Sequence, residues 1–194
     1  MIRLLISFLA SASLLSVALT AQAQSRTQQS AGSPQAEQPT PPATPAARPG
    51  DVDTPEHLVA ALYDVISGPA GKRDWNRFLS LFYPGARLMP SGKNPQGALT
   101  VRMLRPQEYV ARAQAIFDKE GFFERSIANR MEVWDRIAHV WSTYESRHAK
   151  DDAAPFARGI NSIQLFHDGK RWWLVSVYWE AEDATHHLPE PYLH

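Results

Sequence analysis

The chain has no cysteine in its 194 residues. Disulfides, a thiol nucleophile and lipid attachment at a cysteine are thereby excluded, and the fold must stand on its core alone. Neither sign of charge prevails, with 20 Lys and Arg against 20 Asp and Glu. No Lys/Arg run interleaves with aromatic residues, so the basic field that gathers phosphates is missing and nucleic acid is not expected as a partner. Gly-x-Ser-x-Gly is absent, and Ser142 or Ser162 with a distant histidine is no better than chance, which leaves no nucleophile to argue for. No segment repeats at the spacing of a solenoid or propeller.

One long apolar run is present, at residues 4–19. Arg3 before it and Ala21-Gln22-Ala23 after it supply the positive and small-x-small ends of a signal peptide spanning 1–23. Ser7, Ser11, Ser13 and Ser16 interrupt the run, which weakens it as a membrane anchor. The expectation is an exported protein, periplasmic or secreted, with no membrane span in its mature form. Removal of Arg3 leaves one more acid than base, a net charge of −1. Residues 24–50 are rich in Gln, Ser, Thr, Ala and Pro and read as a disordered, semi-stiff linker, too poor in apolar groups to offset its ordering entropy. Residues 51–194 then form one domain with a single core.

Thr54, Pro55 and Glu56 read as the cap, first turn and dipole-favoured acid of a helix. Leu58, Leu62 and Val65 recur on one of its faces, and Gly68-Pro69 ends it. A second helix runs from Asp74 with Trp75, Phe78, Leu79 and Phe82 at helical spacing, stopped by Tyr83-Pro84-Gly85. Residues 87–90 predict a short extended piece followed by a loop. A third helix starts near Pro106, packs Tyr109, Val110, Ala113, Ile116 and Phe117, and closes at Gly121. The remainder predicts strands: 122–134 and 137–147 meeting at Asp135-Arg136, then a hairpin over 158–182 turning at Asp168-Gly169. Helices first and a curled antiparallel sheet after is the α+β pattern.

Several of these segments carry a resemblance. Asp74-Trp75-Asn76-Arg77-Phe78, Leu81-Phe82-Tyr83-Pro84-Gly85-Ala86, residues 137–146, residues 159–165 and Gly169-Lys170-Arg171-Trp172-Trp173 together resemble nuclear transport factor 2-like (NTF2-like, SnoaL-like) domains, in an exported bacterial branch. The resemblance covers 51–182. It implies a cone, with three N-terminal helices packed in a strongly curved mixed or antiparallel sheet, a pocket at the open end and common dimerisation. It implies no activity, because the fold hosts isomerases, dehydratases, cyclases, hydrolases and plain binding proteins. Isomerases of the superfamily use an aspartate base and a tyrosine–acid oxyanion hole inside the cone. Tyr63 offers a phenol, but no Asp or Glu stands at an obviously matching sheet position.

A two-residue turn pairs Leu165 with Trp172, Ile163 with Leu174 and Asn161 with Ser176, on a face shared with Tyr178. By resemblance that face covers the helices. Trp173, Val177 and Trp179 then stand outside as a homodimer contact, or lie under the tail or the linker. The 122–147 hairpin poses a fork. One face holds Ile127, Asn129, Met131, Val133, Ala138, Val140, Ser142 and Tyr144; the other holds Arg130, Glu132, Trp134, His139, Trp141, Thr143 and Glu145. With the first face inside, the pocket consists of Asn129, Ser142, Tyr144, Asn161, Trp172 and Tyr178, able to hydrogen-bond a ligand but without a base. With the second inside, Glu132 orients His139 as a general base, and Glu145 is a further candidate. The more apolar face is usually buried, which favours the first.

No metal or cofactor is expected, since His186, His187 and His194 with Glu180, Glu182 and Asp183 sit on an irregular tail. The leading expectation is an exported domain that binds a small apolar or aromatic molecule in its cone, as a homodimer. An acid–base isomerase, dehydratase or hydrolase using a His–Glu pair is one alternative. A dimeric protein-interaction module with a filled cone is the other.

Overall fold

The computed structural model describes residues 43–194; the signal peptide expected at 1–23, and residues 24–42 of the expected linker, lie outside the described residues. Helix α1 (Pro55–Ile66) begins at Thr54, whose hydroxyl accepts from the His57 amide at 3.0 Å, satisfying an amide that the first turn leaves orphaned. Leu58, Leu62 and Val65 are buried with Val59 and Tyr63. Asp74 caps α2 (Trp75–Ser80) in the same way, through the Arg77 amide. Preceding α1, Ala47 lies against the core and Arg48 Nη2 donates to Asp74 at 2.9 Å.

The second helix is shorter than its apolar spacing suggests. From Phe82 the chain is already strand β1 (Phe82–Lys93), because Phe82 seeks a sheet neighbour, Leu174. Pro84 and Gly85 form an irregularity within β1, with Gly85 at φ 90°, rather than a helix stop. Residues expected as loop include a further strand, β2 (Leu99–Val101), paired antiparallel with the end of β1. Helix α3 (Pro106–Phe117) follows, then β3 (Phe123–Trp134), β4 (Ile137–Arg147), β5 (Ala157–His167) and β6 (Trp172–Ala181). The sheet order is β2-β1-β6-β5-β4-β3, antiparallel except where β1 runs parallel to β6. Residues of α1 and α2 share one core with Val140, Ile163, Leu165 and Leu174 from the sheet.

Hairpin β3–β4 has the register of a two-residue loop, with Trp134 opposite Ile137, Glu132 opposite His139 and Arg130 opposite Trp141. Ala138, Val140, Ser142 and Tyr144 point into the core. The β5–β6 hairpin departs from the two-residue expectation. His167 pairs with Trp172, leaving a four-residue turn in which Asp168 Oδ1 accepts from the Lys170 and Arg171 amides.

Two bulges then interrupt the alternation of side chains. On β6, Val175 is the extra residue between the pairs Leu165–Leu174 and Gln164–Ser176. On β3, Ile127 is extra between Ser126–Tyr144 and Ala128–Thr143. Each bulge reverses the faces of everything beyond it.

Beyond β6 the chain returns across the outer face of the sheet. Tyr192 packs against Trp141 with ring centroids 5.9 Å apart, under the Arg130 guanidinium at 4.8 Å. No helix among the described residues is long and apolar enough to cross a membrane.

Candidate functional site

The cone encloses a cavity of about 420 Å³, open at one end, a size typical of small-molecule sites. Its walls are apolar. Leu62 and Ile66 come from α1, Phe78 from α2, Tyr109, Ala113 and Phe117 from α3, and Val177 and Trp179 from β6. The aromatic rings hold one another in place: Phe78 stacks on Tyr109 at 5.3 Å, and Tyr109 meets the edge of Trp179 at 6.3 Å.

The polar groups converge on one carboxyl. Glu124 lies on β3 beyond the Ile127 bulge, so it faces inward opposite Ser146, whose hydroxyl donates to Glu124 Oε2 at 2.7 Å. Its backbone is tied to α1 through Ser67, whose hydroxyl donates to the Glu124 carbonyl and accepts from its amide. The residue is half-buried and lines the cavity. Burial disfavours its charged form and pushes its pKa up to about 7, although hydrogen bonding from Ser146 and Asn161 draws it back.

Beside it, Tyr144 and Asn161 also line the cavity. Asn161 Nδ2 donates to the Tyr63 hydroxyl at 3.0 Å, and that hydroxyl shares a hydrogen bond of 2.6 Å with Ser142. Burial, reinforced by the charge of Glu124, raises the pKa of Tyr63, Tyr109 and Tyr144. All three phenols therefore stay protonated near neutrality and keep their O–H available for donation.

The bulges redistribute the residues expected at the pocket. Tyr144 and Asn161 reach it, and Ser142 stands one hydrogen bond behind, against Tyr63. Trp172 is buried against the His167 ring, away from the cavity. Asn129 borders a separate groove with Tyr63 and Met131. Tyr178 is turned to the outer face by the Val175 bulge and is 43% exposed. The same bulge overturns the expected outer stripe. Val177 and Trp179 wall the cavity, and only Trp173 remains outside, beneath Arg171 and against Tyr83.

The residues weighed as bases lie on the outer face of the sheet. His139 Nε2 is 3.1 Å from the Ser162 hydroxyl, while Glu132 is exposed. Among the described residues no hydrogen bond joins Glu132 to His139. Glu145 is buried on the same face, which alone would raise its pKa. Bonds and charge from Arg125 and Arg147 outweigh that and hold the carboxyl below its usual range. It is an ion-paired carboxylate, unsuited to taking a proton near neutrality.

Glu124 escaped the sequence reading because uninterrupted alternation turns it outward. One signal was present: the same alternation carries Arg125 into the cone, an expensive burial that a bulge relieves. For a metal, no three His, Cys, Asp or Glu side chains converge among the described residues. His186 and Asp183 sit 3.4 Å apart on the tail without a third partner.

No family model matches the chain, and no curated protein matches it. Among solved structures it is similar to a protein of unknown function with a cystatin-like fold from Nostoc punctiforme PCC 73102. That pair has a TM-score of 0.52 at 14% identity, over 66% of this chain and 89% of that one. It is also similar to an uncharacterised cystatin-like protein from Caulobacter vibrioides (TM-score 0.49, 12% identity, 67% and 88% covered). A third similar structure is an NTF2-like protein of unknown function from Shewanella baltica OS155 (TM-score 0.42, 12% identity, 66% and 94% covered). The likeness is one of fold: the chain shares the α+β cystatin-like architecture of the first of these.

Proposed function

We propose that this domain binds a small, largely apolar molecule in its cone and moves a proton on that molecule through Glu124. One observation carries the reading: the Glu124 carboxyl, its pKa pushed up to about 7 by burial, stands beside Tyr144, Ser146 and Asn161 on a cavity whose walls are mainly apolar and aromatic. An acid–base catalyst works best when its pKa lies near the working pH, because both protonation states are then populated. An ordinary glutamate, at about 4.3, is too weak a base and too rarely an acid.

The arrangement suits a carbon acid. The Glu124 carboxylate takes a proton from a carbon next to a carbonyl, and the electron pair of that C–H bond moves onto the carbonyl oxygen. The Tyr144 phenol lies beside the base to donate to the oxygen as its charge grows, while the Asn161 amide, donating to Tyr63 and to Glu124, positions the base. Return of the proton to the same or a neighbouring carbon completes an exchange or an isomerisation and leaves Glu124 ready again. The apolar walls exclude water, which strengthens each of these interactions.

The test uses 2-tetralone, an apolar bicyclic ketone with acidic α-hydrogens, and follows deuterium uptake from D2O by mass spectrometry. The protein accelerates uptake over buffer, with a rate that rises with pH to a plateau and an apparent pKa near 7. Glu124→Gln lowers that rate by about a hundredfold or more. Acceleration that survives in Glu124→Gln, or tight binding of the ketone with no exchange, contradicts the catalytic role.

A further inference from the structure

We infer that the molecule taken by this cavity carries an anionic group, held at the mouth by Arg102 and Arg112; the inference rests on the ligand-binding reading above. The charges lining the cavity are unevenly placed. Arg102 follows β2, its amide bonded to the Pro90 carbonyl at 3.0 Å, and Arg112 lies on α3 one turn from Ile116. Both side chains line the cavity and both residues are exposed.

Arg102 and Arg112 are the arginines that line the cavity, and neither is neutralised there. Arg48, Arg77, Arg105, Arg125, Arg147 and Arg158 each pair with a carboxylate. Among the described residues, Arg102 and Arg112 make neither an ion pair nor a side-chain hydrogen bond. The other charged groups of the cavity are engaged or distant. Glu120 and His148 face each other at 3.9 Å beyond the end of α3. Glu124 is less exposed than either arginine.

Two free guanidiniums at the rim and a carboxyl within set a direction. An amphipathic anion enters with its apolar body against Phe78, Tyr109 and Val177, and its charge outside with the arginines. The reverse orientation sets anion against carboxylate. Guanidinium offers paired N–H donors to a carboxylate or sulfonate, so both ends of such a molecule are satisfied at once. The occupant is therefore an apolar molecule bearing one terminal anion, with its reacting carbon remote from that charge.

The experiment compares two fluorescent probes that share one aromatic frame, 1-anilinonaphthalene-8-sulfonate and its uncharged analogue N-phenyl-1-naphthylamine. Each is titrated into the protein and into Arg102→Gln/Arg112→Gln, with circular dichroism and melting to verify folding. The sulfonate binds at least about tenfold tighter than the neutral dye, and the gap narrows as salt rises. The double variant abolishes the gap and leaves neutral-dye affinity unchanged. A sulfonate that binds no tighter, or a gap that survives the double variant, overturns the inference.

Failure of the underlying reading looks different. Ala113→Leu projects added carbons into the cavity, and 2-tetralone competes for the same space. If neither the variant nor the ketone weakens binding of either dye, the cavity is not their site and both readings fall. If both weaken the neutral dye while no preference for the sulfonate exists, only the anion is refuted.

Discussion

A carboxyl on a surface strand has water on most sides and titrates near 4.3. Glu124 has protein around it and a single strong donor, Ser146, at 2.7 Å, so its charged form is poorly solvated and its pKa rises to about 7. The rise has a consequence for stability whose sign is fixed. Below the unfolded-state pKa both folded and unfolded chains hold the proton and the group contributes nothing. Between that value and 7 the folded chain binds more protons than the unfolded one, so stability falls as pH rises, and above 7 the full penalty of about 3 kcal/mol applies. Glu124→Gln removes it. The variant melts at a higher temperature than the parent at pH 8.5, with the difference shrinking to nothing by pH 4, as read by calorimetry across that range. A difference independent of pH would mean that Glu124 is no more strained than a surface acid.

At the scale of elements, the helices were legible because their ends carry chemistry. Thr54 and Asp74 both cap where their side chains suggest, and Pro55 and Pro106 both open helices. The β3–β4 register was legible too, since Asp135, at φ 48°, accepts the tight turn that pins Glu132 opposite His139. The bulges were not. Ile127 and Val175 are ordinary strand residues, and nothing in their type marks them as extra.

For this reason Tyr144 and Asn161, whose own strands carry no extra residue, were placed at the site, whereas Tyr178, Val177 and Trp179 were assigned the wrong face and Glu124 was not singled out. Gly159 belongs to the same scale. A Cβ there would come within 2.3 Å of the Glu180 carbonyl and 2.5 Å of the Tyr144 hydroxyl. Gly159→Ala must therefore part β5 from β6 and displace Tyr144. It is expected to cost more than about 2 kcal/mol in urea denaturation. A variant as stable as the parent would show that Tyr144 is not held where the structure has it.

For the molecule as a whole, the cone is a way of keeping a hole open. Its sheet and helices share one core, yet rings such as Phe78, Tyr109 and Trp179 brace one another along the cavity wall instead of filling it. Apolar walls make the void favourable for an apolar molecule, and the same walls keep much of the water from Glu124. The proposed ligand binding and the displaced pKa thus have a common origin, the position of Glu124 in the cone. The most direct measurement is the titration of that carboxyl by carbon-13 NMR on glutamate-labelled protein, with the resonance assigned by its loss in Glu124→Gln. The predicted midpoint is near pH 7, well separated from the other glutamates. A midpoint near 4.5 would place the carboxyl in water and remove the basis for proton transfer in this cavity.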